Sequence, residues 1–258
     1  MKKLITVFLM TLVLLSSCNT PRDITYLQDV REQVPIQTQN DGYIRFHPGD
    51  RLSIYVHSRD EQLMSLFNIS GNGGASGSSG QSRVAYTIDP KGEIDFPVLG
   101  SINIEGLTRD EVAKYIKDQL VINSLVKDPI VTVAFYDMTF SVLGNTGAGV
   151  KAIEKDRITL MEALAMASDL QIDGLRKNVL VMRQEGDKQV PYRVDLTRAR
   201  SIYNSPVYYI QQNDVIYVEP SDKYKRNSTV MGSNAFTPSF WFSLFSSIMS
   251  VVLLIVKL

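Results

Sequence analysis

Apolar and polar residues alternate through Arg51-Leu52-Ser53-Ile54-Tyr55-Val56, the two-residue period of a half-buried strand. His47-Pro48-Gly49-Asp50 before it is turn chemistry. Val84 to Ile88 and Glu93 to Phe96 flank Asp89-Pro90-Lys91-Gly92, which predicts a β-hairpin. The period then lengthens. Val112, Tyr115, Ile116 and Leu120 fall at i, i+3, i+4 and i+8, one face of a helix that Thr108 and Glu111 open as a capping box. Asp128-Pro129 closes that segment, and Ile130 to Phe135 predicts a further strand.

A second run of elements begins near Thr139. Phe140-Ser141-Val142-Leu143-Gly144 predicts strand then turn, and Thr159 with Glu162 opens a short helix through Ala167. Val179 to Arg183 and Gln189 to Val194 bracket Glu185-Gly186-Asp187, a second hairpin. Tyr208 to Ile210 and Val215 to Val218 flank Gln212-Asn213-Asp214, which predicts two strands joined by a tight turn. Strands and short helices mix without regular βαβ alternation, so the fold class expected is α+β.

The two ends differ from this body. Met1-Lys2-Lys3 followed by the mostly apolar Leu4 to Leu15 predicts a secretory signal over residues 1–17, too short for a spanning helix. Leu15-Ser16-Ser17-Cys18 resembles a bacterial lipobox, which marks Cys18, the single cysteine, for acylation. Residues 18–41 are polar with Pro21 and Pro35, and are expected to act as a tether.

At the other end, Ser239 to Val256 carries no charge. Twenty residues at about 1.5 Å each give about 30 Å, the thickness of a hydrocarbon core, so a transmembrane helix is expected over 236–258. Thr237 and Pro238 suit its start. Phe236, Phe240, Trp241 and Phe242 cluster at that end as a membrane-interface belt would. Ser239, Ser243, Ser246, Ser247 and Ser250 share one helical face, and the same stripe extended reaches Lys257. Three readings stay open: serines tolerated through back-bonding, close packing of helices through small residues, or a water-facing stripe that a ring of copies turns into a pore lining.

Composition narrows the chemistry. With 27 basic and 27 acidic side chains the formal charge is zero, without the basic footprint expected of a nucleic-acid binder. The Gly/Ser-rich stretch 71–80 has no Lys-Ser/Thr pair opening a helix, so it is not a phosphate loop. Asp89, Glu93 and Asp95 can be drawn as a glycosidase pair, but they surround a turn, where carboxylates usually bond the backbone. His47 and His57, the two histidines, stand outside any metal-ligand spacing. No enzyme activity, metal or cofactor is expected.

Tyr43, Ile44 and Phe46 before Pro48-Gly49-Asp50-x-Leu52-x-Ile54-x-Val56, and Ile88-Asp89-Pro90-Lys91-Gly92-Glu93-Ile94-x-Phe96-Pro97-x-Leu99-Gly100, followed by Gly106-Leu107-Thr108 and its helix, resemble the polysaccharide export domain. Phe140-Ser141-Val142-Leu143-Gly144-Asn145, Ile158-Thr159-Leu160 and Asn213-Asp214-Val215-Ile216-Tyr217-Val218-Glu219-Pro220 are similar to a soluble ligand-binding β-grasp domain. The resemblance implies a polysaccharide export domain over 42–137, one β-grasp domain over 138–221, a linker over 222–235 and the terminal helix. It implies a bacterial outer-membrane lipoprotein with periplasmic domains, one subunit of a homo-oligomeric ring that conducts capsular or exopolysaccharide passively. The implied partner is an inner-membrane polysaccharide co-polymerase, often a tyrosine autokinase. The competing reading is a non-conducting glycan-binding or scaffolding lipoprotein that uses its tail as an anchor.

Overall fold

The computed structural model describes residues 22–38, 41–58, 67, 85–229 and 238–257. The signal segment, Cys18, the glycine-rich stretch and Phe236 lie outside the described residues. The architecture is mixed α and β.

Strand β1 (Arg51–His57) is the middle of a three-stranded antiparallel sheet, between β2 (Ala85–Thr87) and β5 (Ile130–Phe135). Leu52, Ile54 and Val56 face inward as expected, but Ser53 between them is buried as well, so the alternation is only partial. The turn at Asp89–Gly92 forms as predicted, since Asp89 Oδ1 accepts the Lys91 and Glu93 amides, each at 2.8 Å. The hairpin does not. β2 pairs with β1, whereas β3 (Glu93–Phe96) pairs with β4 (Gly100–Asn103). The turn hands the chain from one sheet to another instead of folding it back on itself.

Helix α1 (Arg109–Ile122) packs against β5 through Val112, Ile116 and Leu120. Its Thr108–Glu111 capping box is present in both directions. Tyr115, expected on the same face, is exposed at the edge of that stripe.

Past Asp137 the chain builds a five-stranded mixed sheet in the order β7-β6-β10-β8-β9, from β6 (Thr139–Gly144), β7 (Gly149–Ala152), β8 (Gly174–Glu185), β9 (Lys188–Val194) and β10 (Val215–Pro220). β6 and β10 run parallel, and β8 and β9 form the second predicted hairpin, closing at Glu185 opposite Lys188. Helix α2 (Leu160–Met166) starts at the predicted Thr159–Glu162 box. Tyr208 to Ile210 is not the predicted strand. Its amide and carbonyl groups are taken singly, by the Leu160 amide (2.7 Å) and the Ile158 carbonyl (2.8 Å), and only Thr159 and Tyr209 form a bridge.

One continuous apolar core runs through all three sheets, from Phe46 and Leu52 through Ile94 and Phe96 to Phe140, Val142 and Val218. The connection is reinforced by Ile44, whose amide donates to the Asp156 carbonyl (2.9 Å), and by the Arg109–Asp156 ion pair at 2.7 Å. Gly42 sits at φ +71° with the Tyr209 ring directly over it, so any side chain there would collide with the ring. Two short helices complete the body: α3 (Ala199–Tyr203), and α4 (Asp222–Asn227) inside the segment assigned to a linker. Helix α5 (Pro238–Lys257) follows.

Candidate functional site

The sequence places its candidate function on α5. The helix forms over 20 residues, and every side chain from Trp241 to Val251 is exposed. Ser239, Ser243, Ser246, Ser247 and Ser250 all lie on it, and at 100° per residue they occupy one arc. Ser243 Oγ donates to the Phe240 carbonyl at 3.0 Å, the back-bond by which a helix accommodates serine in apolar surroundings. Trp241 and Phe240 meet edge to face at 5.9 Å, at the helix start where the aromatic belt was expected.

Among the described residues no helix is long and apolar enough to cross a membrane. The side chains at 252, 253, 256 and 257 lie outside the described residues, so the apolar run that carries the expectation, and Lys257 with it, is described only in part. The expected segment is present as the helix Pro238–Lys257.

The base of this arm is fixed by charge. Ser221 caps α4 by accepting the Tyr224 amide. Lys225 reaches back to the Glu219 carboxylate on β10, and Asn178 donates to the same carboxylate. Those contacts hold the Glu219 carboxyl below its usual range and raise the Lys225 ammonium, the hydrogen bond between them being the largest cause for both. Residues 222–227 are therefore a braced helix, capped by Ser221 and supplying in Lys225 a cation within reach of Glu219.

The N-terminal segment also differs from a free tether. Leu27 and Gln28 donate their amides to the carbonyls of Leu196 and Thr197, at 3.1 and 2.7 Å, and Asp29 accepts the Ala199 amide. Asp23 pairs with Lys177. Tyr26 donates its hydroxyl to Asp169 and lies under the Arg176 guanidinium, 5.1 Å from the ring centre. Burial first, and then the bond to Asp169, push the Tyr26 hydroxyl up to about 12. Residues 22–29 are thus a strap on the five-stranded sheet. Between residues 29–37, which continue from the strap, and α3 opens a cleft of about 1020 Å³ lined by Arg31, Arg198, Arg200, Asn204 and others.

Two polar sites inside the body are structural. Arg183 and Asp214 form a bidentate pair at 3.0 and 2.6 Å, with Asp214 wholly buried. Arg183 also donates to the carbonyls of Pro206 and Tyr209, which ties the 206–214 segment to β8. Nothing in the local sequence marks this pair, because its partners are 31 residues apart. Asp50 is buried and accepts the His47 amide at 2.9 Å, closing the Pro48-Gly49 turn. Desolvation raises its carboxyl above the ordinary value. Of the carboxylates drawn as a glycosidase pair, Asp89 is occupied by its own turn and Glu93 accepts from Ser101 at 2.6 Å.

Comparison with known proteins agrees with the motifs. Residues 38–135 match the family described as polysaccharide biosynthesis/export protein. The EPS I polysaccharide export outer membrane protein EpsA of Ralstonia solanacearum is 29% identical over 208 residues, covering 74% of this chain and 53% of that protein. The protein of the same name from Ralstonia nicotianae is 28% identical over 210 residues, with the same shares. The chain spans about half the length of the curated relatives it matches.

Proposed function

From the membership of residues 38–135 in the polysaccharide biosynthesis/export family, we propose that this chain is one subunit of an outer-membrane assembly that exports polysaccharide. The relatives named as outer membrane export proteins support the location and the cargo class. In this reading Cys18 is acylated, the body stands in the periplasm as an export domain and a β-grasp domain, and α5 enters the membrane. An inner-membrane co-polymerase supplies the chain from below.

The observation that carries the reading is α5. Its serine arc and its apolar side chains from Trp241 to Val251 are exposed in a single chain. A ring of copies satisfies both at once, with serines toward a hydrated lumen and Phe, Leu, Ile and Val toward lipid. Serine suits a moving polymer, since a hydroxyl exchanges hydrogen bonds with sugar and water without fixing a counter-ion. The body contributes position and drives nothing.

The test is to replace Ser243, Ser246, Ser247 and Ser250 by Leu in a strain that depends on this protein for surface polysaccharide. The expected result is normal protein level with surface polysaccharide lost. Export at the unsubstituted level would overturn the serine-lined path.

A further inference from the structure

We propose that the corner where the turn Arg22–Ile24, the loop 170–173 and the start of α4 meet is the lipid-facing surface of the folded body, with Ile172 and Ile24 seated in the headgroup layer. The inference rests on the reading of Cys18 as acylated and of α5 as membrane-embedded, and adds to it an orientation and a contact surface.

A single exposed isoleucine is ordinary on a protein surface. What gives Ile172 a direction is that the N-terminal strap and the start of α4 are both attached beside it. On the N-terminal side, Asp23 is held by Lys177 and Tyr26 by Asp169. Arg176 covers Tyr26 and donates to the carbonyls of Leu170, Gln171 and Gly174 at 3.4, 3.3 and 3.1 Å, so the same side chain fixes the strap and the loop. On the C-terminal side, the Ser221 amide donates to the Asp173 carbonyl at 2.7 Å, and α4 begins there. Ile172, between these attachments, is 71% exposed, and Ile24 is 39% exposed.

Reach sets the distance. Cys18 precedes Arg22 by four residues, which fully extended span at most about 14 Å. An acyl anchor on Cys18 therefore keeps this corner close to the lipid surface. The opposite end of the body is far away. β8 runs from Gly174 to Glu185, and at about 3.3 Å per residue its hairpin tip stands about 36 Å from the corner. An isoleucine at the near end meets the interface at the depth of about 5–10 Å reached by interfacial apolar side chains.

The experiment uses the full chain, purified from membranes and reconstituted in vesicles containing spin-labelled lipids. Acylation consumes the one native thiol, so an environment-sensitive probe can be placed at Ile172→Cys, at Asp187→Cys on the hairpin tip, or at Ile248→Cys on α5. The expected result is quenching and a blue-shifted emission at 172 and 248, with neither at 187. Quenching at 248 without quenching at 172 overturns the lipid-facing corner and leaves the anchored helix standing. Equal responses at 172 and 187 also overturn it. No response at 248, or labelling of the unsubstituted chain at Cys18, overturns the anchoring reading and this inference with it.

Discussion

At Arg183 and Asp214 the body buries a guanidinium and a carboxylate against each other, with two backbone carbonyls completing the shell. Removing one member leaves the other charge buried without its partner, which typically costs about 3–5 kcal/mol. Arg183→Met should therefore lower the urea midpoint sharply, and a double Arg183→Met, Asp214→Leu variant should recover part of the loss. Asp50 makes a prediction with pH. Burial raises its folded-state value above the unfolded value near 3.8, so the folded state holds the proton more tightly. The stabilisation from that proton is fully present below the unfolded value and is lost as pH rises through the higher folded value. Asp50→Asn should flatten the stability profile over that window, measured by denaturant titrations at successive pH values. Neither effect is legible in the sequence. Asp50 reads as a turn residue, and only the packing around it shows that its carboxyl is out of water.

Local elements were the legible part. Both capping boxes act over three residues and form as read, Thr108 with Glu111 and Thr159 with Glu162. Thr159→Ala should cost about 1 kcal/mol, seen as a lower unfolding midpoint, with the exchange of amides in α2 accelerated. What failed were claims about partners. The Asp89–Gly92 turn was read correctly, but which strands its flanks join depends on β1 and β4, and no window of a few residues contains that information. Tyr208 to Ile210 looks like a strand because Val207 and Ile210 are buried, yet single hydrogen bonds hold it in place of a ladder. The strap over 22–29 is polar enough to read as a tether. It docks because Tyr26, Leu27 and Asp29 each find a partner more than a hundred residues away. Asp169→Ala removes the acceptor for Tyr26, and hydrogen exchange over residues 22–29 should rise while exchange in the β6–β10 pair stays unchanged.

On the scale of the whole molecule, the resemblance to the export family was legible in the order of the motifs, and residues 38–135 match that family. The assembly was not legible, since a ring is a property of surfaces between copies. The central claim is that α5 closes a ring, and the most direct measurement is the native mass of the lipidated protein extracted in mild detergent, with and without residues 239–258. The account predicts a closed complex of many identical subunits for the full chain, and monomers or small species once the helix is removed. A full chain that stays monomeric or dimeric across several mild detergents would contradict it, and the tail would then be an anchor on a non-conducting protein.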